Sequence, residues 1–576
     1  MKLSRLIAAL PGTDYVPDPD KDPQITAITA DSRNAGPGSL FIAVKGYETD
    51  GHQYITQAVE QGAAAILAQQ GPEPGSGFPP VIRVSDSRQG MALAAAEFYG
   101  RPAEKMTLVG ITGTNGKTTV SWLLESMLKA GGFNTAVMGT VNIRYNRTFL
   151  DNPVTTPDSI DLHRNLADMC DAGVTHVIME VSSHALELFR VHGCSFHAAV
   201  FTNLTQDHLD FHPDMDHYFN SKKKLFTRYL GQTGDTPGTA VINLDDTRGK
   251  ALARDLKTPA ITVSRDKTAD ITTSQIHQDI TGISGNLVTP AGSIPFRSAL
   301  TGQFNLENIL CAAGAAMALG LSRETIGAGI SDCANVPGRL DKVANPLGLH
   351  LFVDYAHTPD ALASILKTLG REGKKRLITI FGCGGDRDRS KRPLMGGIAA
   401  ELSDIAIVTS DNPRTEDPDA IIRDILSGMG ASKQITLQEA QTRPFDKGFL
   451  VEPDRKAALT LAVTLARPGD IVVAAGKGHE NYQITNAGTL SFDDKEILAA
   501  AVLETQEQLA PIPWQMADLS KALDTPPLPS TENQSATALP QAEPVYTGIG
   551  TDSRTITPDQ VFVALKGDRF DGHDFI

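Results

Sequence analysis

Met106-Thr-Leu-Val-Gly-Ile-Thr-Gly-Thr-Asn-Gly-Lys-Thr-Thr119 is the stretch whose reading decides the fold. An apolar run, a turn carrying two glycines and then helical spacing over 121–130 predict a buried strand, a loop and a helix opening directly from it. A loop of this kind holds phosphates. Gly113 and Gly116 let the backbone approach oxygen atoms closely, the amides at the helix N-terminus point outward as donors, and Lys117 adds a full positive charge. Thr118 then offers its hydroxyl to magnesium. The usual phosphate-loop spacing would put a first glycine at position 111, where the chain has Ile111, so the motif present is GTNGKTT over 113–119. A plain glycine turn beside a solvent-facing lysine is the bland alternative. Agreement of strand, loop and helix favours a nucleotide site, with ATP as the expected ligand.

The 576 residues are too many for one hydrophobic core, so several domains are expected. Hydrophobic residues at 41% and charged ones at 21% are ordinary for a globular chain, and no apolar run has the length of a membrane span. The first ten residues lack a signal-peptide core and cleavage site, and predict an amphipathic first helix. Cys170, Cys194, Cys311, Cys333 and Cys383 include no CxxC pair, which argues against a disulfide framework and against a zinc site. A cytoplasmic protein is expected. The net charge of −15 disfavours bulk nucleic-acid binding.

Short apolar runs at 25–28, 40–44, 63–67 and 81–84 predict strands of a small first domain. Its marks are Asp31-Ser32-Arg33, Gly38-Ser-Leu-Phe41, Lys45-Gly46 and Asp50-Gly-His52. The same series returns as Asp552-Ser-Arg554, Phe562, Lys566-Gly567 and Asp571-Gly-His573, every member displaced by 521 positions. Residues 514–523 predict a lead-in helix, and a Pro/Ser/Thr/Gln-rich stretch over 525–544 predicts a linker. The repeat reaches Ile576 before a domain of the first one's size is complete, so a truncated second copy is expected over 546–576, behind a linker region at 508–545.

From 106 to about 334, strands should alternate with helices. Apolar runs at 174–181, 198–203 and 240–243 fit a parallel sheet buried on both faces. Glu180 closes one of these strands, where a carboxylate can reach magnesium beside the loop; a satisfied buried glutamate is the alternative. Asp207-His208-Leu-Asp210-Phe-His212 follows another strand end. Tyr218 precedes Lys222, Lys223 and Lys224, among which periodicity does not choose. Asn305 and Asn308 open an Ala-rich helix, where capping explains Asn308 well and Asn305 less well. Val336-Pro-Gly-Arg339 marks a domain break that puts Arg339 within reach of a nucleotide. Beyond it, strands at 351–354, 377–381, 405–409 and 471–475 end in polar clusters. These contain Asp354, Gly382 to Arg387, Asp411-Asn412-Pro413-Arg414 and Gly476-Lys-Gly-His-Glu480, four groups defining one edge of an open α/β sheet.

With GTNGKTT, EVSSHAL (180–186), DHLDFH (207–212), YAHTPD (355–360) and DNPR (411–414) in this order, the chain resembles the Mur ligase family of peptidoglycan synthesis. Within it the similarity is to the MurE type, over residues 2–507, and the C-terminal block resembles the start of a MurF-type ligase, implying a MurE/MurF fusion. The resemblance implies a three-domain α/β fold: a small N-terminal UDP-substrate domain (1–100), a central P-loop ATPase domain with a parallel sheet (101–336) and a Rossmann-like amino-acid-binding domain (337–507). It implies ligation of meso-2,6-diaminopimelate to a UDP-N-acetylmuramoyl-dipeptide through an acyl phosphate, with ATP and Mg2+. By motif matching, Gly113, Thr114, Asn115, Gly116, Lys117, Thr118 and Thr119 bind ATP, completed by Asn305, Arg339 and Asp354. Thr118, Glu180, His208 and Lys222, the last as a carbamylated lysine, match the magnesium site, and Lys117, Glu180, His208 and Lys222 carry the catalysis. Ser32, Thr155, Thr156, Ser182 and Arg190 match the UDP-substrate site. Arg387, Asp411, Asn412, Pro413, Arg414, Gly476 and Glu480 match the diaminopimelate site. Two other readings compete with it: a folylpolyglutamate synthase, which should lack the Asp-Ser-Arg block and DNPR, and a non-catalytic nucleotide-binding scaffold, which would not need Lys117, Glu180, His208 and DNPR together.

Overall fold

The computed structural model describes all residues except 14–21, 47–48, 73–76, 234–235, 267, 371–375, 431, 443–446, 510–513, 516–544, 547, 551–559 and 563–576. The chain divides into two compact units, Met1–Leu498 and Ala499–Ile576. In the first, strands β1 (Ala27–Thr29), β2 (Ser39–Ile42), β3 (Ala65–Ala68) and β4 (Val81–Arg83) pair in that order, all parallel. The β2 and β3 residues are buried throughout, as expected when helices cover both faces. Helix Ser87–Phe98 starts on Asp86, whose carboxylate accepts from the amides of Arg88 and Gln89. The N-terminal helix is short, Leu3–Ile7, and its Leu3, Leu6 and Ile7 enter the core.

The central sheet is built on β5 (Thr107–Thr112) and runs through β6 (Thr135–Met138), β7 (Ile143–Tyr145), β8 (Thr148–Leu150), β9 (His176–Glu180) and β10 (Ala198–Phe201). It continues past a two-residue ribbon, β11 (Gln232–Thr233) with β12 (Thr236–Pro237), into β13 (Thr239–Asn243) and β14 (Ala260–Val263). Its order is β14-β13-β10-β5-β9-β6-β7-β8, parallel as far as β6 and antiparallel at the β7 and β8 edge. Ile111 pairs with Glu180 and Thr112 with Phe201. Ile111 is therefore the penultimate, fully buried strand residue, which is why no glycine stands there. The expected alternation fails at residues 272–298. There β15 (Thr272–Asp279), β16 (Gly282–Thr289) and β17 (Gly292–Ser298) form an antiparallel meander. Its inward residues Ile283, Leu287, Ile294 and Phe296 join the core built by helices Lys117–Ala130 and Gln303–Ala318.

The third sheet contains β18 (Asp341–Val343), β19 (His350–Asp354), β20 (Leu377–Phe381), β21 (Ile405–Val408), β22 (Gly448–Val451) and β23 (Ile471–Ala475), followed by a hairpin of β24 (Tyr482–Thr485) and β25 (Gly488–Ser491). Its order, β18-β19-β23-β20-β21-β22, makes the four strands with polar ends direct neighbours. Both edge strands, β18 and β22, escaped the sequence reading.

In the second unit β26 (Trp514–Gln515) pairs antiparallel with β27 (Val545–Tyr546), and β28 (Gly548–Gly550) pairs parallel with β29 (Gln560–Phe562). The predicted lead-in helix thus begins as a strand, and its remainder, like the linker at 525–544 and the repeated motifs at 552–554, 566–567 and 571–573, lies outside the described residues. Gly548 faces Gln560 and Gly550 faces Phe562. These are the partners of Ala27 with Ser39 and Thr29 with Phe41, each displaced by the same 521 positions, so the repeat preserves strand register as well as sequence. Among the described residues no helix is long and apolar enough to cross a membrane.

Candidate active site

The phosphate loop is held from one side by the end of β10. Asn203 accepts from the Thr114 amide through its carbonyl (3.0 Å) and from the Asn115 amide through its side chain (2.9 Å). Gly113 and Gly116 have φ of 151° and 86°, and a Cβ on them would strike Thr202 Oγ1 and Asn308 Oδ1, so both glycines are required by conformation and by space. Lys117 Nζ donates to the carbonyls of Gly113 and Thr114, each at 2.9 Å. Burial lowers its pKa, with Glu180 and Asp207 opposing. Thr119 is buried in the first turn of the helix.

Glu180 is 1% exposed and sits beside the loop because β9 pairs with β5. Its Oε2 accepts from Thr118 Oγ1 (3.1 Å) and Thr140 Oγ1 (2.7 Å), and its Oε1 from the Thr140 amide (3.2 Å). A hydroxyl and a carboxylate this close supply the oxygen ligands a magnesium ion takes when substrate phosphates and water complete its shell, so the donor set fits. Among the described residues no three acidic, His or Cys side chains form an all-protein cage, which such a phosphate-bridging ion does not need. His208 borders the same cavity with φ of 56°, its Nε2 3.5 Å from Asp207 Oδ2, and burial lowers its pKa to about 4.

The three lysines of helix Met215–Lys224 separate cleanly. Lys222 is 1% exposed and donates to the Gly113 carbonyl at 2.9 Å, while Lys223 pairs with Asp255 and Lys224 with Glu187 toward solvent. Burial, and then Lys117, pushes the Lys222 pKa well down.

A cavity of about 520 Å³ runs from the loop to helix Gln303–Ala318 and the start of the third sheet, ample for a nucleotide. The capping expectation for the two asparagines is overturned, since the helix N-cap is Gly302 with no side-chain cap. Asn308 borders the cavity against Gly116, whereas Asn305 is 1% exposed behind it, bonded to the Thr301 carbonyl (2.7 Å) and accepting from Asn308 (3.1 Å). Asn305 therefore orients Asn308. Arg339 crosses from the domain break to donate to Thr118 Oγ1 (3.3 Å) and lies over the Tyr355 ring at 4.5 Å. Asp354, also at the cavity, has both oxygens engaged by the amides of Leu340 (2.7 Å) and Ala356 (2.8 Å), and so shapes the turn that presents Arg339.

Thr155 hydrogen-bonds Thr140 through their hydroxyls at 3.1 Å. Thr156 is fully buried, its hydroxyl donating to the Glu180 carbonyl (2.8 Å) and accepting from the Ser182 amide (3.1 Å), while its carbonyl accepts from Arg190 (2.8 Å). Ser182 caps the following helix. These four adjoin Glu180, whereas Ser32, donating to Gln57 at 2.9 Å, opens a short 3-10 turn between β1 and β2 of the first domain.

On the third sheet the polar ends of β20, β21 and β23 meet. Arg414, at φ of 53°, donates to the Gly385 carbonyl (2.8 Å), and a Cβ on Gly384 would lie 2.9 Å from Arg414 Nη1 and 3.8 Å from Arg387 Cγ, so both arginines border one space. Arg387 is exposed. Pro413 abuts Gly385 through its carbonyl, and Gly476, at φ of 116°, leaves room for Asp411. Asn412, matched by its motif to the diaminopimelate site, has its amide engaged within the protein: its Nδ2 donates to Glu480 Oε2 (2.8 Å) and its Oδ1 accepts from Ile484 N (2.9 Å) and Lys477 Nζ (3.1 Å). Sequence reasoning overlooked Thr140, Asn203 and Lys477. Lys477 stands inside one of the polar motifs, and Asn203 closes the predicted strand at 198–203.

Three family models match the chain: Mur ligase middle domain over 111–316, Mur ligase glutamate ligase domain over 338–478, and Mur ligase family catalytic domain over 24–99 and again over 545–576. The chain is 47% identical over 490 residues to the UDP-N-acetylmuramoyl-L-alanyl-D-glutamate--2,6-diaminopimelate ligase of Geobacter metallireducens, covering 84% of this chain and 94% of that one. The ligase of the same name from Geobacillus kaustophilus is 44% identical over 508 residues, 88% of this chain and 100% of its own length. A solved structure of a ligase of that name superposes with a TM-score of 0.62 at 32% identity, covering 88% of this chain and 100% of that one.

Proposed function

The chain belongs to the Mur ligase family, and from that membership we propose that it joins meso-2,6-diaminopimelate to UDP-N-acetylmuramoyl-L-alanyl-D-glutamate at the expense of ATP. The observation that carries the amino-acid choice is the single edge on which Arg387 and Arg414 border one space while Glu480 is held through Asn412 beside them. Guanidinium forks match a carboxylate and a carboxylate matches an ammonium. Diaminopimelate carries both at its distal end, and lysine only the amine. Lysine would leave the two guanidinium forks without the carboxylate they match, which weakens its binding.

In this reading the 113–119 loop, Lys117 and Arg339 neutralise the triphosphate while the D-glutamyl carboxylate attacks the terminal phosphorus and ADP leaves. The amine of the incoming amino acid then attacks the acyl carbon, inorganic phosphate leaves, and an amide remains. The protein's part is to align the reactants and keep water from the activated acyl group. Thr118, Glu180 and His208 would hold magnesium, with Lys222 contributing as a carbamate; the metal supplies charge neutralisation on the transferring phosphoryl group. Asn305, through Asn308, and Asp354, through Arg339, complete the nucleotide site. Ser32, Thr155, Thr156, Ser182 and Arg190 serve the UDP substrate, whose chemistry belongs in the cytoplasm.

A second copy of the N-terminal Mur ligase block behind the first ligase accords with the second family match at 545–576 and with the repeated register of β28 and β29, and its MurF type rests on the sequence resemblance alone. The curated relatives do not extend to it, since they align as single ligases. Sequencing the coding region beyond Ile576 tests it: a stop codon there ends the idea.

The main reading is tested by phosphate release with the UDP-dipeptide and ATP. Turnover should be strong with meso-diaminopimelate and weak with L-lysine; the opposite ranking would refute it.

A further inference from the structure

We propose that Lys477 is a positioning residue for the incoming amino acid, holding Asn412 and Glu480 in the arrangement that receives the substrate's ammonium group. The inference rests on the amino-acid ligase reading above and deepens it at the same site.

Lys477 lies two residues beyond β23 with its side chain 0% exposed. Its Nζ is 3.1 Å from Asn412 Oδ1, 3.5 Å from Glu480 Oε2 and 3.6 Å from Asp411 Oδ1. Its aliphatic stem brings the charge between Tyr482 and Phe492, 5.7 and 5.9 Å from their ring centres. A fully buried lysine demands partners of this kind, because burying an ammonium without them is strongly unfavourable.

The first consequence concerns the Asn412 amide. Its oxygen accepts from two donors, Lys477 Nζ and the Ile484 amide, so the nitrogen must face Glu480, to which it donates at 2.8 Å. Lys477 thereby locks an amide that could otherwise rotate, and the amide fixes one oxygen of Glu480. The second consequence concerns charge. Asp411 and Glu480 carry two negative charges against one on Lys477, and the neighbouring buried Arg455 is already matched by Asp494, with both side chains 0% exposed. Among these five side chains one negative charge is left over, and Asp411 Oδ1 has no hydrogen-bond partner. A substrate ammonium balances it. Without Lys477 the two carboxylates would face each other uncompensated and take up a proton, which removes the charge the ammonium seeks.

The wild type is first assayed for diaminopimelate-dependent phosphate release, so that failure of the ligase reading is seen separately from failure of this one. Lys477→Met should then raise KM for diaminopimelate about tenfold or more, with KM for ATP and for the UDP-dipeptide within about twofold. Lys477→Gln keeps a donor for Asn412 without the charge, and its KM for diaminopimelate should fall between the two. Should neither variant fold, selectively 13Cε-lysine-labelled wild type supplies the readout: the Lys477 signal should shift on adding diaminopimelate. A KM for diaminopimelate within threefold of wild type in both variants, equal rises in all three KM values, or a labelled signal that ignores diaminopimelate would each overturn the proposal.

Discussion

Gly139 has no side chain, and the site depends on that. A Cβ there would run into Glu180 Oε1, the oxygen that accepts from the Thr140 amide. Gly139→Ala should leave the fold intact by circular dichroism, yet displace Glu180 enough to lower kcat on the order of 100-fold. Lys117→Ala, which removes the loop's only formal charge, should abolish phosphate release altogether. Glu480 governs the pH response. Burial, then Asp411, raises its pKa above the usual carboxylate value. Only the ionised form holds an ammonium, so KM for diaminopimelate should climb as pH falls, and begin to climb above the range where an ordinary glutamate titrates, about 4.3. A KM flat down to that range would show that Glu480 does not receive the amine.

At the scale of elements, the third sheet is tied to its flanking segments by Arg455, which donates to both oxygens of Asp494 and to the Ala475 carbonyl at the end of β23. Asp494→Asn leaves that guanidinium buried without its counter-charge and should cost about 3–5 kcal/mol, read as a lowered urea midpoint. Interior strands of this kind were legible: β20 and β23 have the bounds the apolar runs predict, because full burial makes a strand apolar throughout. Edge strands β18 and β22 are short, and β15 is mostly polar, so their pairing comes from neighbours that a linear reading does not see. The lysine ambiguity had a local solution. Tyr218 and Lys222 are four residues apart on one helix face, both buried, with Lys222 Nζ 4.4 Å from the ring centre. The face could be guessed from Tyr218, but that it meets Gly113 follows only from how the helix packs. Asn305 and Asn308 misled because the helix starts on Gly302 rather than on an asparagine.

Across the whole molecule, every candidate-site residue lies in the unit Met1–Leu498, while the repeated block lies in Ala499–Ile576. The first unit contains an N-terminal sheet, a phosphate-loop sheet and a third sheet whose polar strand ends adjoin one another. The repeat provides, among its described residues, only the β28 and β29 counterparts of β1 and β2. In the first domain those two strands are half of a four-stranded sheet, whose core also needs β3, β4 and helix Ser87–Phe98. The Geobacillus kaustophilus ligase is matched over its whole length within 508 residues, 88% of this chain. Ligation should therefore not require it. A chain ended after Leu509, which keeps helix Asp494–Leu509 whole, should ligate diaminopimelate with kcat and all three KM values within about twofold of the full chain, a difference below 0.5 kcal/mol. A selective loss of affinity for the UDP-dipeptide would instead show that the second copy of the Asp-Ser-Arg module takes part in binding that substrate.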